Sequence, residues 1–111
     1  MKAEPIDIKK IELANKILSE VVLETELQLN LRHSEKFNCS VWFKREDLQK
    51  VRSFKIRGAF NKMRQLPQSQ LENGVITSSA GNHAQGVALS ALKLNCSATI
   101  LMPITTPLVK V

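Results

Sequence analysis

The chain has 111 residues, 16 basic and 10 acidic, with a net charge of +6. A hydrophobic share of 43% and a charged share of 23% fit one small domain with a real core and exclude a disordered chain. The basic residues are scattered, tyrosine is absent, and no zinc-finger or helix-turn-helix signature occurs. This argues against a basic nucleic-acid-binding module, and a solvated surface or an acidic remainder of a longer chain accounts for the charge.

In chain order, Met1 to Pro5 reads as a frayed tail. Ile8, Ile11, Leu13, Ala14, Ile17, Leu18, Val21 and Val22 form a broad helical stripe, which predicts a helix over about 7–20. Leu27, Leu29 and Leu31 alternate, as in an extended segment, and Ser40 to Lys44 is a strand rich in β-formers. A charged connection, Lys44 to Asp47, leads into a second helix. Ile56, Ala59, Phe60 and Met63 supply its buried face, Ser53 is its expected N-cap, and Pro67 stops it. Gln68 to Asn73 is polar, and Asn73-Gly74 marks a turn.

Val75 to Ser78 is the next strand. Ala84, Val87, Ala88, Ala91 and Leu92 then repeat at helical spacing, with Asn95 as a left-handed stop. Ala98 to Met102 is a further strand, and Thr106-Pro107 looks like the start of another helix. Residues 75–102 therefore form a strand-helix-strand unit, which implies a parallel pair and an α/β fold. A parallel sheet needs helices on both faces. With so few strands, the chain is expected to be a fragment of a larger α/β domain. Cys39 and Cys96, far apart and without a CxxC, are expected to be reduced core residues. With no apolar leader and no membrane-spanning run, a cytoplasmic location with no membrane partner is expected.

Two elements carry chemistry. Lys55 falls in the first turn of its helix, the positive end of the dipole, with Lys50, Arg52 and Arg57 nearby in sequence. Both effects favour a neutral amine, a nucleophile able to form a Schiff base with an aldehyde. An ordinary solvated lysine is the competing reading. The second element is the turn Ser78-Ser79-Ala80-Gly81-Asn82-His83, which joins a strand's C-terminal end to a helix start. In open α/β sheets ligands bind there, and free amides and the dipole favour a phosphate or carboxylate. A plain helix cap by Ser79 or Asn82 is the alternative. It is not a P-loop, because Val87-Ala88 stands where Lys-Ser or Lys-Thr belongs after Gly81 and Gly86. No ligand cluster surrounds His83 or His33, so no metal is expected.

Taken together, Lys44-Arg45-Glu46-Asp47-Leu48-Gln49, Ser53-Phe54-Lys55-Ile56-Arg57-Gly58-Ala59 and Ser79-Ala80-Gly81-Asn82-His83-Ala84-Gln85-Gly86 closely resemble the fold-type-II pyridoxal-phosphate enzymes, and within them the threonine dehydratases. Met102-Pro103, Thr105-Thr106-Pro107 and Lys110-Val111 fit the same pattern, and the match runs from about Val21 to the last residue. The resemblance implies a tryptophan-synthase-β-like α/β domain, of which residues 1–111 would be an N-terminal part. It implies pyridoxal 5'-phosphate as cofactor and Lys55 as the residue that carries it. Phe54 would pack near the cofactor ring, and Asn82 would hydrogen-bond its phenolic oxygen. Ser79, Gly81, Asn82 and His83 would hold the substrate carboxylate. The implied reaction turns L-threonine into 2-oxobutanoate and ammonia, a step of isoleucine biosynthesis, in an enzyme expected to be a homo-oligomer when complete.

Some residues depart from the pattern or choose within it. Related serine racemases carry a serine where Ala80 stands, so Ala80 favours dehydration, with a serine dehydratase or racemase as alternative. Glu26 replaces the proline usual after Thr25, which is expected to loosen the early loop. The chain lacks the family's later glycine-rich loop for the cofactor phosphate. A non-catalytic remnant or interaction fragment is therefore the other class of reading.

Overall fold

The computed structural model describes residues 7–111, so the expectation for Met1 to Pro5 lies outside the described residues. Asp7 caps helix α1 (Ile8–Leu18), its carboxylate accepting from the Lys9 amide at 3.0 Å. Only Leu18 of the predicted apolar stripe is buried within α1, and Val21 is buried just beyond it. Ile8, Ile11 and Leu13 stay exposed, so α1 packs by its C-terminal end alone.

Strand β1 (Leu27–Leu29) pairs antiparallel with β2 (Trp42–Lys44), Gln28 opposite Phe43. Between them lies helix α2 (Leu31–Phe37), which the sequence reading did not anticipate. Asn30 caps α2 by accepting from the His33 amide, and left-handed Asn38 ends it. None of its residues is buried, so it offers no apolar stripe to read. A short 3-10 turn (Glu46–Leu48) then leads to helix α3 (Lys55–Arg64).

The four apolar residues expected on one face of α3, Ile56, Ala59, Phe60 and Met63, are all buried. They split between two clusters. Ile56 and Phe60 join Leu18, Val21 and Val51, while Ala59 and Met63 join Val87 and Ala91. Helix α3 is thus the central layer, with α1 on one side and α5 (Asn82–Leu94) on the other. The N-cap is Phe54 rather than Ser53. Arg52 adopts a left-handed φ of 56°, which breaks the helical path upstream. The Ser53 hydroxyl still accepts from the Lys55 amide, at 3.4 Å.

Beyond Pro67 the polar stretch forms a one-turn helix, α4 (Gln68–Glu72), anchored by buried Leu71. Strand β3 (Val75–Ser78) then runs parallel to β4 (Ala98–Leu101) with Val75 opposite Ala98, and α5 forms the crossover. Asn95 ends α5 in the left-handed conformation, as expected. The helix expected after Thr106-Pro107 is a 3-10 turn (Leu108–Lys110). Both cysteines are free thiols, but Cys39 is exposed and Cys96 half-buried, so neither is a fully buried core residue as expected. No helix among the described residues is long and apolar enough to cross a membrane.

Candidate active site

Lys55 is the first residue of α3, and what holds that helix start in place is a buried polar network upstream. Gln49, only 1% exposed, accepts from the Leu23 amide at 2.9 Å and donates to the Leu23 carbonyl at 2.8 Å. Glu46 takes two charge-assisted hydrogen bonds from Arg57, both at 2.8 Å, and one from the Thr25 hydroxyl at 2.7 Å. The Arg57 hydrogen bonds dominate and, with help from Thr25 and Gln49, outweigh burial to bring the Glu46 carboxyl down to about 2. Arg57 is therefore a neutralised partner rather than a free charge beside Lys55. The same bonds tie down the segment around Thr25, itself buried, while Arg45 donates its amide to the Glu26 carbonyl. The loosening expected from Glu26 is thus offset.

No acidic side chain occupies the first turn of α3, so nothing offsets the positive end of the helix dipole where the Lys55 side chain is carried. Lys55 is exposed, and its ammonium lies 5.0 Å from the centre of the Phe54 ring. Phe54 is 57% exposed and lines a cleft of about 560 Å3 together with Asn15, Val22, Lys44 and Glu46.

The glycine at position 86 joins this helix start to the second element. A side-chain Cβ there would lie 3.1 Å from the Lys55 carbonyl oxygen and 3.2 Å from its carbon. A side chain there would push the Lys55 backbone back by a few tenths of an ångström, so glycine lets α5 rest closest on the first turn of α3. Asn82 is four residues before Gly86, on the same helix face and about 6 Å along the axis. Gly86, one turn into α5, thus rests on the first turn of α3.

Within the turn, the Ser79 hydroxyl accepts from the Gly81 and Ala84 amides, both at 3.3 Å. It thereby satisfies one first-turn amide of α5, whose N-cap residue is Gly81, and its own hydrogen can serve an incoming acceptor. A Cβ at Gly81 would meet nothing within 4 Å, so the turn opens onto free space. The amides of Asn82 and His83, in the first turn of α5, have no intrahelical acceptor. The Asn82 Oδ1 accepts from the Lys110 ammonium at 2.6 Å, which also donates to Gln85 Oε1 at 3.0 Å. His83 is exposed and lines a different, smaller cleft of about 230 Å3 with Lys62, Met63 and Thr77. Phe54 and His83 therefore border separate clefts, whereas Ser79, Gly81 and Asn82 share one turn. Among the described residues no group of three His, Cys, Asp or Glu side chains is placed to hold a metal ion.

The roles of Gly86 and Lys110 were not foreseen. A glycine inside a helix costs about 1 kcal/mol relative to alanine, and that cost was the signal at position 86. Lys110 gives no comparable sign, because its partners lie 28 and 25 residues away.

An amine at a helix start is a group that reacts with aldehydes, and a helix start with open amides is one that attracts small anions. A family model described as pyridoxal-phosphate dependent enzyme matches residues 18–111. The chain is 63% identical over 91 residues to the chloroplastic biosynthetic threonine dehydratase 1 of Solanum lycopersicum, covering 82% of this chain and 15% of that protein. It is 54% identical over 106 residues to the biosynthetic L-threonine dehydratase IlvA of Bacillus subtilis (strain 168), covering 96% of this chain and 25% of that one. Among solved structures, maize serine racemase matches with a TM-score of 0.90 at 34% identity, over 96% of this chain and 32% of the racemase. The chain belongs to the pyridoxal-phosphate dependent enzyme family, and its α/β unit is part of a fold-type-II domain. It spans a quarter or less of the length of these two curated relatives.

Proposed function

We propose that the protein carrying this chain is a pyridoxal-phosphate-dependent dehydratase that converts L-threonine to 2-oxobutanoate and ammonia. The observation that supports this reading is the Gly86 contact, which packs α5, one turn beyond Asn82, against the Lys55 backbone. The two threonine dehydratase relatives support the choice of substrate. Their biosynthetic names support a place in isoleucine biosynthesis.

The residues present fit the cofactor: an exposed amine at a helix start, open space at Gly81, and a carboxamide and free amides at the start of α5. Lys55 would hold the cofactor aldehyde, Phe54 would flank its ring, and Asn82 would contact its phenolic oxygen. Bound pyridoxal phosphate supplies an electron sink for the charge left on the substrate's Cα. The Ser79 hydroxyl and the amides near Gly81, Asn82 and His83 bind the substrate carboxylate and orient the Cα–H bond. Lys55 Nζ, freed when the substrate amine takes its place, would accept the Cα proton and pass it to the β-hydroxyl, which leaves as water; a water returned on hydrolysis would release ammonia and the keto acid.

Ala80 has no proton to give within this turn, which supports dehydration over racemisation; L-serine is a second possible substrate of the same chemistry. We further read residues 1–111 as part of one catalytic domain of a cytoplasmic homo-oligomer. The experiment is threonine turnover with Lys55→Ala in the purified protein. Loss of at least a thousandfold in keto-acid release supports the reading, and normal turnover refutes it.

A further inference from the structure

We propose that Lys110 is a positioning residue for Asn82: its ammonium fixes which end of the Asn82 carboxamide faces the site. The inference rests on the reading of Asn82 as a cofactor contact and adds a residue to it. A lysine ammonium has three donors and no acceptor, so it can pair with an amide side chain only through the oxygen. Here it holds two such oxygens at once, Asn82 Oδ1 at 2.6 Å and Gln85 Oε1 at 3.0 Å.

With Oδ1 engaged, the Asn82 Nδ2 group is the end left to face the open turn. A donor there suits a phenolic or carboxylate oxygen, whereas the flipped amide would present an acceptor and repel it. The Lys110 ammonium also brings a positive charge to the first turn of α5, reinforcing the dipole's attraction for an anion. A lysine placed here runs against the helix's own electrostatics, which disfavour a cation at that end. The two oxygens compensate for that cost, and an anion bound at the turn would compensate further.

The contact also links distant parts of the chain. Lys110 sits on the 3-10 turn after β4, and Asn82 opens the helix after β3. The tip beyond β4 is thereby coupled to the site, although Leu108 and Val109 beside Lys110 stay exposed.

The test is a double-mutant cycle on the purified protein with Lys110→Met, Asn82→Ala and both together. Pyridoxal phosphate affinity is read by absorbance titration, and the Asn82 side-chain NH2 signals of asparagine-labelled apoprotein by NMR. The expected result is that Lys110→Met weakens cofactor binding about tenfold, as for loss of a charge-assisted hydrogen bond. It also shifts the Asn82 NH2 signals, and it changes affinity less than twofold in the Asn82→Ala background. Lys110→Arg, which keeps the charge and the donors, should recover most of the affinity. Unmoved Asn82 signals in Lys110→Met, or an undiminished effect in the Asn82→Ala background, would overturn the inference. If Asn82→Ala alone binds the cofactor normally while Lys110→Met still shifts the Asn82 signals, the orienting contact stands and the cofactor role of Asn82 falls.

Discussion

Glu46→Gln removes one charge from the network beneath Lys55 at nearly constant shape. In the folded protein this carboxyl titrates at about 2 in place of its ordinary 4.5, chiefly through Arg57. At about 1.4 kcal/mol per pH unit, that difference corresponds to at most about 3.5 kcal/mol of stability at neutral pH. Arg57 is a third exposed, with a side-chain exposure of 32%, so water screens the pair and we expect about 1–2 kcal/mol to be realised. The folded carboxyl is the stronger acid, so the contribution is complete above the unfolded value near 4.5 and is lost as pH falls towards 2. Urea denaturation of the native protein and Glu46→Gln, at pH 7 and at steps down to pH 3, measures the gap between them. The gap should be about 1–2 kcal/mol at pH 7 and shrink steadily below pH 4.5. A gap that does not change with pH, or no gap at pH 7, would refute the assignment of Glu46 as an ionised anchor.

Gln49→Leu should cost about 2–3 kcal/mol in the same assay, because it leaves the Leu23 amide and carbonyl buried without their partner; a loss under 0.5 kcal/mol would mean that water replaces the side chain. For Gly86→Ala, an overpacking cost of about 1–3 kcal/mol against the Lys55 backbone opposes a helix-propensity gain of about 1 kcal/mol. The expected net is a loss of about 1 kcal/mol, with cofactor capture slowed because the Lys55 backbone must shift. Unchanged capture by stopped-flow absorbance would show that the contact does not position the amine.

Where an element buries a periodic face, the sequence announced it. The spacing of Ile56, Ala59, Phe60 and Met63 announced α3, and all four fill the core; of the five residues that announced α5, Ala84, Val87 and Ala91 are buried, whereas Ala88 and Leu92 are exposed. Helix α2 buries nothing and α4 only Leu71, so capping and local turns alone make them, and no period was there to read. The N-cap of α3 lies at Phe54, one residue beyond Ser53, because Arg52, left-handed and donating its amide to the Gln49 carbonyl at 2.8 Å, closes a turn that the apolar period does not mark. The Lys55 and Ser79 to His83 motifs were legible because each is contiguous. The pairs that hold them, Glu46 with Arg57 and Thr25 and Lys110 with Asn82, join residues 11, 21 and 28 positions apart. Only the folded chain brings those partners together.

Borohydride reduction of the purified protein after addition of pyridoxal phosphate, followed by peptide mass mapping, tests the central claim most directly. A single reduced phosphopyridoxyl adduct on Lys55, absent from Lys55→Ala, is the expected result. An adduct spread over the exposed lysines, or one that persists undiminished in Lys55→Ala, would contradict the placement of the cofactor amine at the start of α3.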